Sequence, residues 1–160
     1  MKVCPTQQPL NNSWQYIVGR NEYGVKYQIV CSIGCPRIVS LSGPYKGAAN
    51  DATIAEASGI KDLLSQESEC LLADKMYRHD HISFITPLSG HRYSLSSSEN
   101  AYNYLIYSAR SAVERIICRL SVFGIFDVPW RFSILLHGLC VRVACKLVNL
   151  HLATKMSNDI

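Results

Sequence analysis

Three acids stand where a carboxylate could do chemistry. Asp51 closes the run Gly47-Ala-Ala-Asn-Asp51-Ala-Thr, Asp74 ends the apolar run Leu71-Leu-Ala, and Glu114 lies within Arg110-Ser-Ala-Val-Glu114-Arg115. Carboxylates delivered to one place by strand ends and a helix are what two magnesium ions need. Mg²⁺ is hard and oxygen-seeking, and two ions about 4 Å apart clamp the attacking and leaving oxygens of a phosphodiester. Acids at strand ends and on helices also arise for other reasons, so spacing alone leaves this as one reading among several. Arg110 sits four residues before Glu114 and shares its helix face. It orients Glu114, meets a phosphate, or makes an ordinary surface ion pair. Asp51 reads first as a helix N-cap and only second as a metal ligand.

Other chemistries find less support. The seven cysteines show no pair at zinc spacing backed by a second pair, and His79 and His81 flank Asp80 with no cysteine nearby. The first 20 residues hold Gln, Asn and Pro where a secretory signal needs an apolar core, so the expectation is an intracellular protein, nuclear or cytoplasmic, not secreted, with reduced and mostly buried thiols. The most hydrophobic stretch, Phe132 to Leu150, carries His137, Arg142 and Lys146, which makes it a poor membrane span. A net charge of +4 permits a nucleic-acid partner without demanding one. With 48% hydrophobic and 18% charged residues, 160 residues suit one globular domain with a real core.

The elements that must position the acids follow from periodicity and punctuation. Trp14 to Val18 is a short apolar strand. Lys26 to Ile33, rich in β-branched and aromatic residues, predicts a strand, Gly34 and Pro36 a turn, and Arg37 to Leu41 the returning strand of a hairpin. Ser42 to Asn50, with Gly43, Pro44 and Gly47, reads as a loop. A helix capped by Asp51 runs to Leu64, with Gly59 weakening it. Cys70 to Ala73 and Ile82 to Ile85 read as short strands. Two long helices follow. Leu105, Ala109, Val113, Ile116 and Leu120 mark the inner face of the first, and Leu136, Cys140, Val143, Leu147 and Leu150 that of the second. Strands first and helices later suit a mixed α/β domain.

These segments, in this order, resemble the DDE nuclease domain of Harbinger-type transposases. The resemblance runs through Gly19-Arg20 and the strand Tyr23 to Val30, through Ser42-Gly43-Pro44 to Asn50-Asp51-Ala52, and through Leu72-Ala73-Asp74-Lys75 to Tyr77. It continues in Thr86-Pro87, in Asn100 and Arg110 to Glu114 with Arg119-Leu120, and in Leu147-Val148-Asn149. It implies an α/β, ribonuclease H-like fold, a mixed sheet with flanking helices, over residues 1–152, followed by a polar tail at 153–160. It implies metal-dependent cleavage of DNA by an activated water, with Mg²⁺ or Mn²⁺ held by Asp74 as the second acid and Glu114 as the third. DNA is then the expected partner, with no membrane and with room for a separate DNA-binding partner protein. Arg115 and Arg119, with Arg131 and Arg142, are possible DNA contacts, though each is also an ordinary solvated helix residue.

The match departs in four places. The family's first acid stands in an Asp-Gly pair just before a segment like Val3-Cys4-Pro5 to Pro9, and no Asp precedes Asp51 here. The expectation is therefore a chain lacking the first acid and most of its central strand, inactive as it stands and left with unpaired sheet edges that favour aggregation. Met76 stands where the family favours Gly, and Ser121 where it favours a basic residue. The family's upstream helix-turn-helix reader is not part of the sequence. Three readings remain open: an inactive nuclease remnant, a working nuclease beginning further upstream, and a domesticated module that binds DNA or protein without cleaving.

Overall fold

The β-branched and aromatic stretch around Lys26 to Ile33 does form the longest strand. In the computed structural model, which describes residues 2–5, 17–18, 22–64, 69–77, 84–90 and 94–158, it is β3, Glu22–Ser32. Trp14 to Tyr16, Gly19, Arg20, the run His79 to His81, Ile82 and Ser83 lie outside the described residues. The chain turns at 33–36, as Gly34 and Pro36 require, and returns as β4, Arg37–Lys46. β4 extends five residues beyond the predicted Leu41, into the expected loop. The reason lies in the register. Lys26 faces Tyr45 and Gln28 faces Ser42, so Gly43 and Pro44 together oppose Tyr27. Such a bulge carries a proline, which has no N–H to give a ladder, without ending the pairing. β1 (Lys2–Pro5) and β2 (Ile17–Val18) also pair antiparallel with β3.

The chain divides into two compact units, Met1–Ala49 with Val113–Ile160, and Asn50–Ala112. In the first, the core joins Val25, Tyr27 and Ile38 of the sheet to Ile116 and Leu120, to Phe126, and to Val141, Ala144, Cys145, Val148 and Leu152. Each Val, Leu, Ile or Phe among them contributes roughly 1.5–3 kcal/mol on leaving water. Ile116 and Leu120 end α2 (Ser97–Leu120), and Phe126 closes a 3-10 turn, Gly124–Phe126. The last five belong to α3 (Ile134–Asn158). Ser133 caps α3, its hydroxyl accepting from Leu135 N at 3.2 Å.

α3 lies the other way round from its hydropathy pattern. Its buried face is His137, Gly138, Val141, Ala144, Cys145, Val148 and Leu152, while Leu136, Val143, Leu147 and Leu150, expected inside, are exposed. Small and polar residues decide this. A Cβ on Gly138 would come within 3.3 Å of Pro44 Cδ, so glycine is what lets the helix approach β4 there. Asn149 then binds both backbone groups of Ile38: its Oδ1 accepts from Ile38 N and its Nδ2 donates to Ile38 O, each at 2.8 Å. It serves Ile38 as a neighbouring strand would, covering the backbone of an edge strand. By length and hydropathy, Ile134–Lys155 would suffice to cross a membrane. In this fold its inner face is spoken for by the sheet.

In the second unit α1 spans Asp51–Ala57. Its N-cap is Asn50, whose side chain accepts from Ala52 N at 2.9 Å, and not Asp51, which is the first helical residue. The expected helix to Leu64 breaks at Gly59, where φ is +63°, and resumes as a 3-10 turn, Ile60–Leu63. β5 (Leu71–Leu72) and β6 (Phe84–Ile85) pair in parallel. α2 opens with a capping box: Ser96 N and its hydroxyl donate to Glu99 Oε2 at 2.8 and 2.7 Å, and Glu99 N donates back to Ser96 Oγ. These bonds hold the Glu99 carboxyl below its usual range. Along α2, Asn103 and Ile106 are buried and Leu105, expected inside, is exposed. Asn103 repeats the Asn149 device on Leu88, accepting from its N at 2.7 Å and donating to its O at 3.2 Å.

The cysteines differ from expectation. Cys145 is buried, but Cys35, Cys70 and Cys118 are exposed, and no disulfide joins the described ones. Burial pushes the thiols of Cys31 and Cys145 up to about 11. Antiparallel strands, then α1, then a parallel strand pair, then two long helices make a mixed α/β fold of the ribonuclease H-like class.

Candidate active site

Asp74 stands two residues beyond Leu72, the last residue of β5. Ala73 N donates to Ile85 O at 3.0 Å, so the pairing with β6 holds the chain straight up to the acid. The chain then tightens into a 3-10 turn, Lys75–Tyr77, with Tyr77 N donating to Asp74 O at 2.9 Å. The ring of Tyr77 packs edge-on against Phe84, at 5.2 Å between centroids, which ties the turn to β6. The carboxyl end of a parallel strand is where open α/β sheets place their ligands, because the chain there leaves the ladder and its side chains project into the crevice.

Both oxygens of Asp74 have partners. Oδ1 accepts from Lys75 N at 2.6 Å, and Oδ2 meets the Arg110 guanidinium at 3.2 Å. The pair is partly open to solvent, at 26% exposure for Arg110 and 46% for Asp74. In the structure Arg110 makes an ion pair, and its partner is Asp74. Glu114, one turn further along α2, is exposed. Asp51 opens α1 and is partly buried. Arg115 is exposed and Arg119 partly so, with Arg119 NH1 donating to Arg115 O at 3.4 Å. Among the described residues no group of three or more Asp, Glu, His or Cys side chains gathers as a metal cage.

A second polar pair escaped the sequence reading. His137 is fully buried; its Nδ1 lies 2.8 Å from Tyr27 Oη and its Nε2 3.1 Å from Ile125 O. A carbonyl only accepts, so Nε2 carries the proton and Nδ1 accepts from the tyrosine hydroxyl. Trp130 closes the pocket with its ring edge-on to the imidazole at 4.9 Å. Burial lowers the pKa of His137, and the bond to Ile125 offsets this in part. For His137 the only signal in the sequence was a polar residue inside an apolar helix; Asn149 gave the same signal and also stood in the Leu147-Val148-Asn149 resemblance.

The chain belongs to the DDE superfamily endonucleases, whose family model matches residues 2–149. No curated protein and no solved structure matches it. Members of this family generally use a divalent metal. Asp74 and Glu114 offer the hard oxygens such an ion takes, but the placement does not fit it: Asp74 is committed to Arg110 and Lys75, and no third donor joins it in a described cluster.

Proposed function

We propose that this chain is a Harbinger-type, transposase-derived nuclease domain over residues 1–152, whose substrate class is DNA, and that it does not cleave DNA in the arrangement described. The observation that carries this is the Asp74–Arg110 pair at the carboxyl end of β5, in a chain matched by the endonuclease family over residues 2–149. Asp74 and Glu114 are the residues assigned to the reaction, with Mg²⁺ or Mn²⁺ as the metal they would serve. Arg110 is the residue assigned to hold Asp74, and Asp51 to support the start of α1. Arg115 and Arg119 are assigned to phosphate contacts. The protein is read as intracellular, nuclear or cytoplasmic, with target selection left to a separate DNA-binding partner.

The arrangement can hold a carboxylate steady and neutralised. It cannot hand that carboxylate to a cation without first breaking a charge-assisted bond. The test is incubation of the purified chain with labelled duplex DNA and Mn²⁺, beside Asp74→Ala and Glu114→Ala. The expected result is no cleavage by any of the three. Cleavage by the parent chain that both variants abolish would overturn the inactivity and keep the residues. Cleavage that survives both would overturn the residues.

The exposed apolar face of α3 favours a second reading, a module retained for binding rather than cutting. Retained affinity for a partner after Asp74→Ala and Glu114→Ala supports it, and loss of that affinity with either change removes it.

A further inference from the structure

One outward stripe of α3 is apolar from Leu135 to Leu150. Leu135, Leu139 and Leu150 are 78%, 60% and 62% exposed, and Val143 and Leu147 are about half exposed. These residues recur every three or four positions, so they form one stripe, which from Leu135 to Leu150 runs about 22 Å at 1.5 Å per residue. The stripe is not flat. Phe123 and Ile125, from the segment before α3, stand beside Leu139, Val143 and Leu147 and line with them a shallow, open apolar groove of about 260 Å³. A soluble chain rarely leaves so continuous an apolar strip uncovered unless something covers it.

Charge says what covers it. Arg142 lies three residues past Leu139 and Lys146 three past Val143, so both border the stripe on the same edge. Ile134–Asn158 contains no Asp or Glu. A second copy of the chain would bring this basic border against itself, in a protein already at +4. A concave floor suits a ridge of side chains better than it suits a lipid surface. We propose that this groove docks an amphipathic helix of another protein, about four turns long, apolar at three- and four-residue spacing and bordered by Asp or Glu. Its apolar ridge fills the groove between α3 and Phe123, and its acids meet Arg142 and Lys146. This is the helix-in-groove mode of recognition.

The test uses the full chain and two labelled 18-residue helical peptides with the same leucine ridge, one bordered by Glu and the other by Lys. Fluorescence anisotropy at low salt should show the Glu peptide binding at least tenfold more tightly. Lys146→Glu should remove most of that preference. Val143→Glu, at an exposed site outside the core, should abolish binding while the circular dichroism stays unchanged. Equal affinity for both peptides, no binding of either, or binding that survives Val143→Glu would overturn the proposal. Sedimentation as a dimer that Val143→Glu dissociates would overturn it in favour of a second copy. Val143-dependent co-sedimentation with phosphatidylserine vesicles, without peptide binding, would overturn it in favour of a membrane surface.

Discussion

Two polar pairs tie distant parts of this chain together, and they are built on opposite terms. Tyr27 and His137 meet in the dark of the first unit, uncharged, with every hydrogen-bonding atom of the imidazole satisfied. Asp74 and Arg110 meet at the edge of the second unit, both charged and both partly wet. A buried neutral pair costs little to desolvate but is costly to break, because a lone donor or acceptor cannot turn to water. A half-exposed ion pair is worth little to stability, because water competes for both partners. The first is therefore a structural fastening, and the second is a contact that can be exchanged at little cost to the fold.

The contrast can be broken from its strong end first. His137→Ala should cost about 3 kcal/mol, from the cavity and from the lost hydrogen bonds to Tyr27 and to the Ile125 carbonyl. Urea unfolding followed by tryptophan fluorescence reads it, and a loss under about 1 kcal/mol would show that the pair is not a fastening. Asn149→Ala tests the neighbouring device. It strands both backbone groups of Ile38 and should cost about 2 kcal/mol in the same assay.

Acid should loosen the histidine pair on its own. The folded-state pKa of His137 lies below the ordinary value of 6.5, so protonation favours the unfolded chain. The sign follows: the contribution is complete above pH 6.5 and is lost as pH falls below it, by at most about 1.4 kcal/mol per pH unit. Melting temperature measured from pH 8 to pH 5 should fall on the acid side, and His137→Gln should flatten that fall. A parent profile as flat as the variant's would remove the histidine from the argument.

The smallest effect on stability is expected at the exposed pair. Arg110→Ala should cost less than about 1 kcal/mol, since the pair is open to solvent. Its effect on Asp74 should be larger than its effect on folding, because the carboxylate loses its only described counter-charge. Calorimetry with Mn²⁺ should show tighter binding in the variant than in the parent. Unchanged metal binding would mean that Arg110 does not compete for the acid.

The order of strands, turns and helices was legible in local chemistry. Gly34 and Pro36 marked the hairpin turn, the apolar run at Leu71 marked β5, and three- and four-residue spacing marked α2 and α3. The acid at the end of β5 and the arginine on α2 were legible for the same reason. Their pairing was not, since nothing local distinguishes Asp74 from Glu114 as the partner of Arg110. Asp51 looked like a cap because it opens the helix, yet Asn50 supplies the accepting oxygen.

The sequence by itself determined where the hairpin turn, the short strand at Leu71 and the two long helices fall, because backbone preference and hydropathy period act over a few residues. Tertiary structure alone decided which side of α3 faces inward. Hydropathy favoured the leucine side, but Gly138 admits β4, His137 needs Tyr27, and Asn149 needs the backbone of Ile38. Those three requirements are met by residues more than ninety positions away in the chain, and once met they leave the leucines outside. A buried polar group accepts only a few orientations, whereas an apolar surface accepts any apolar neighbour.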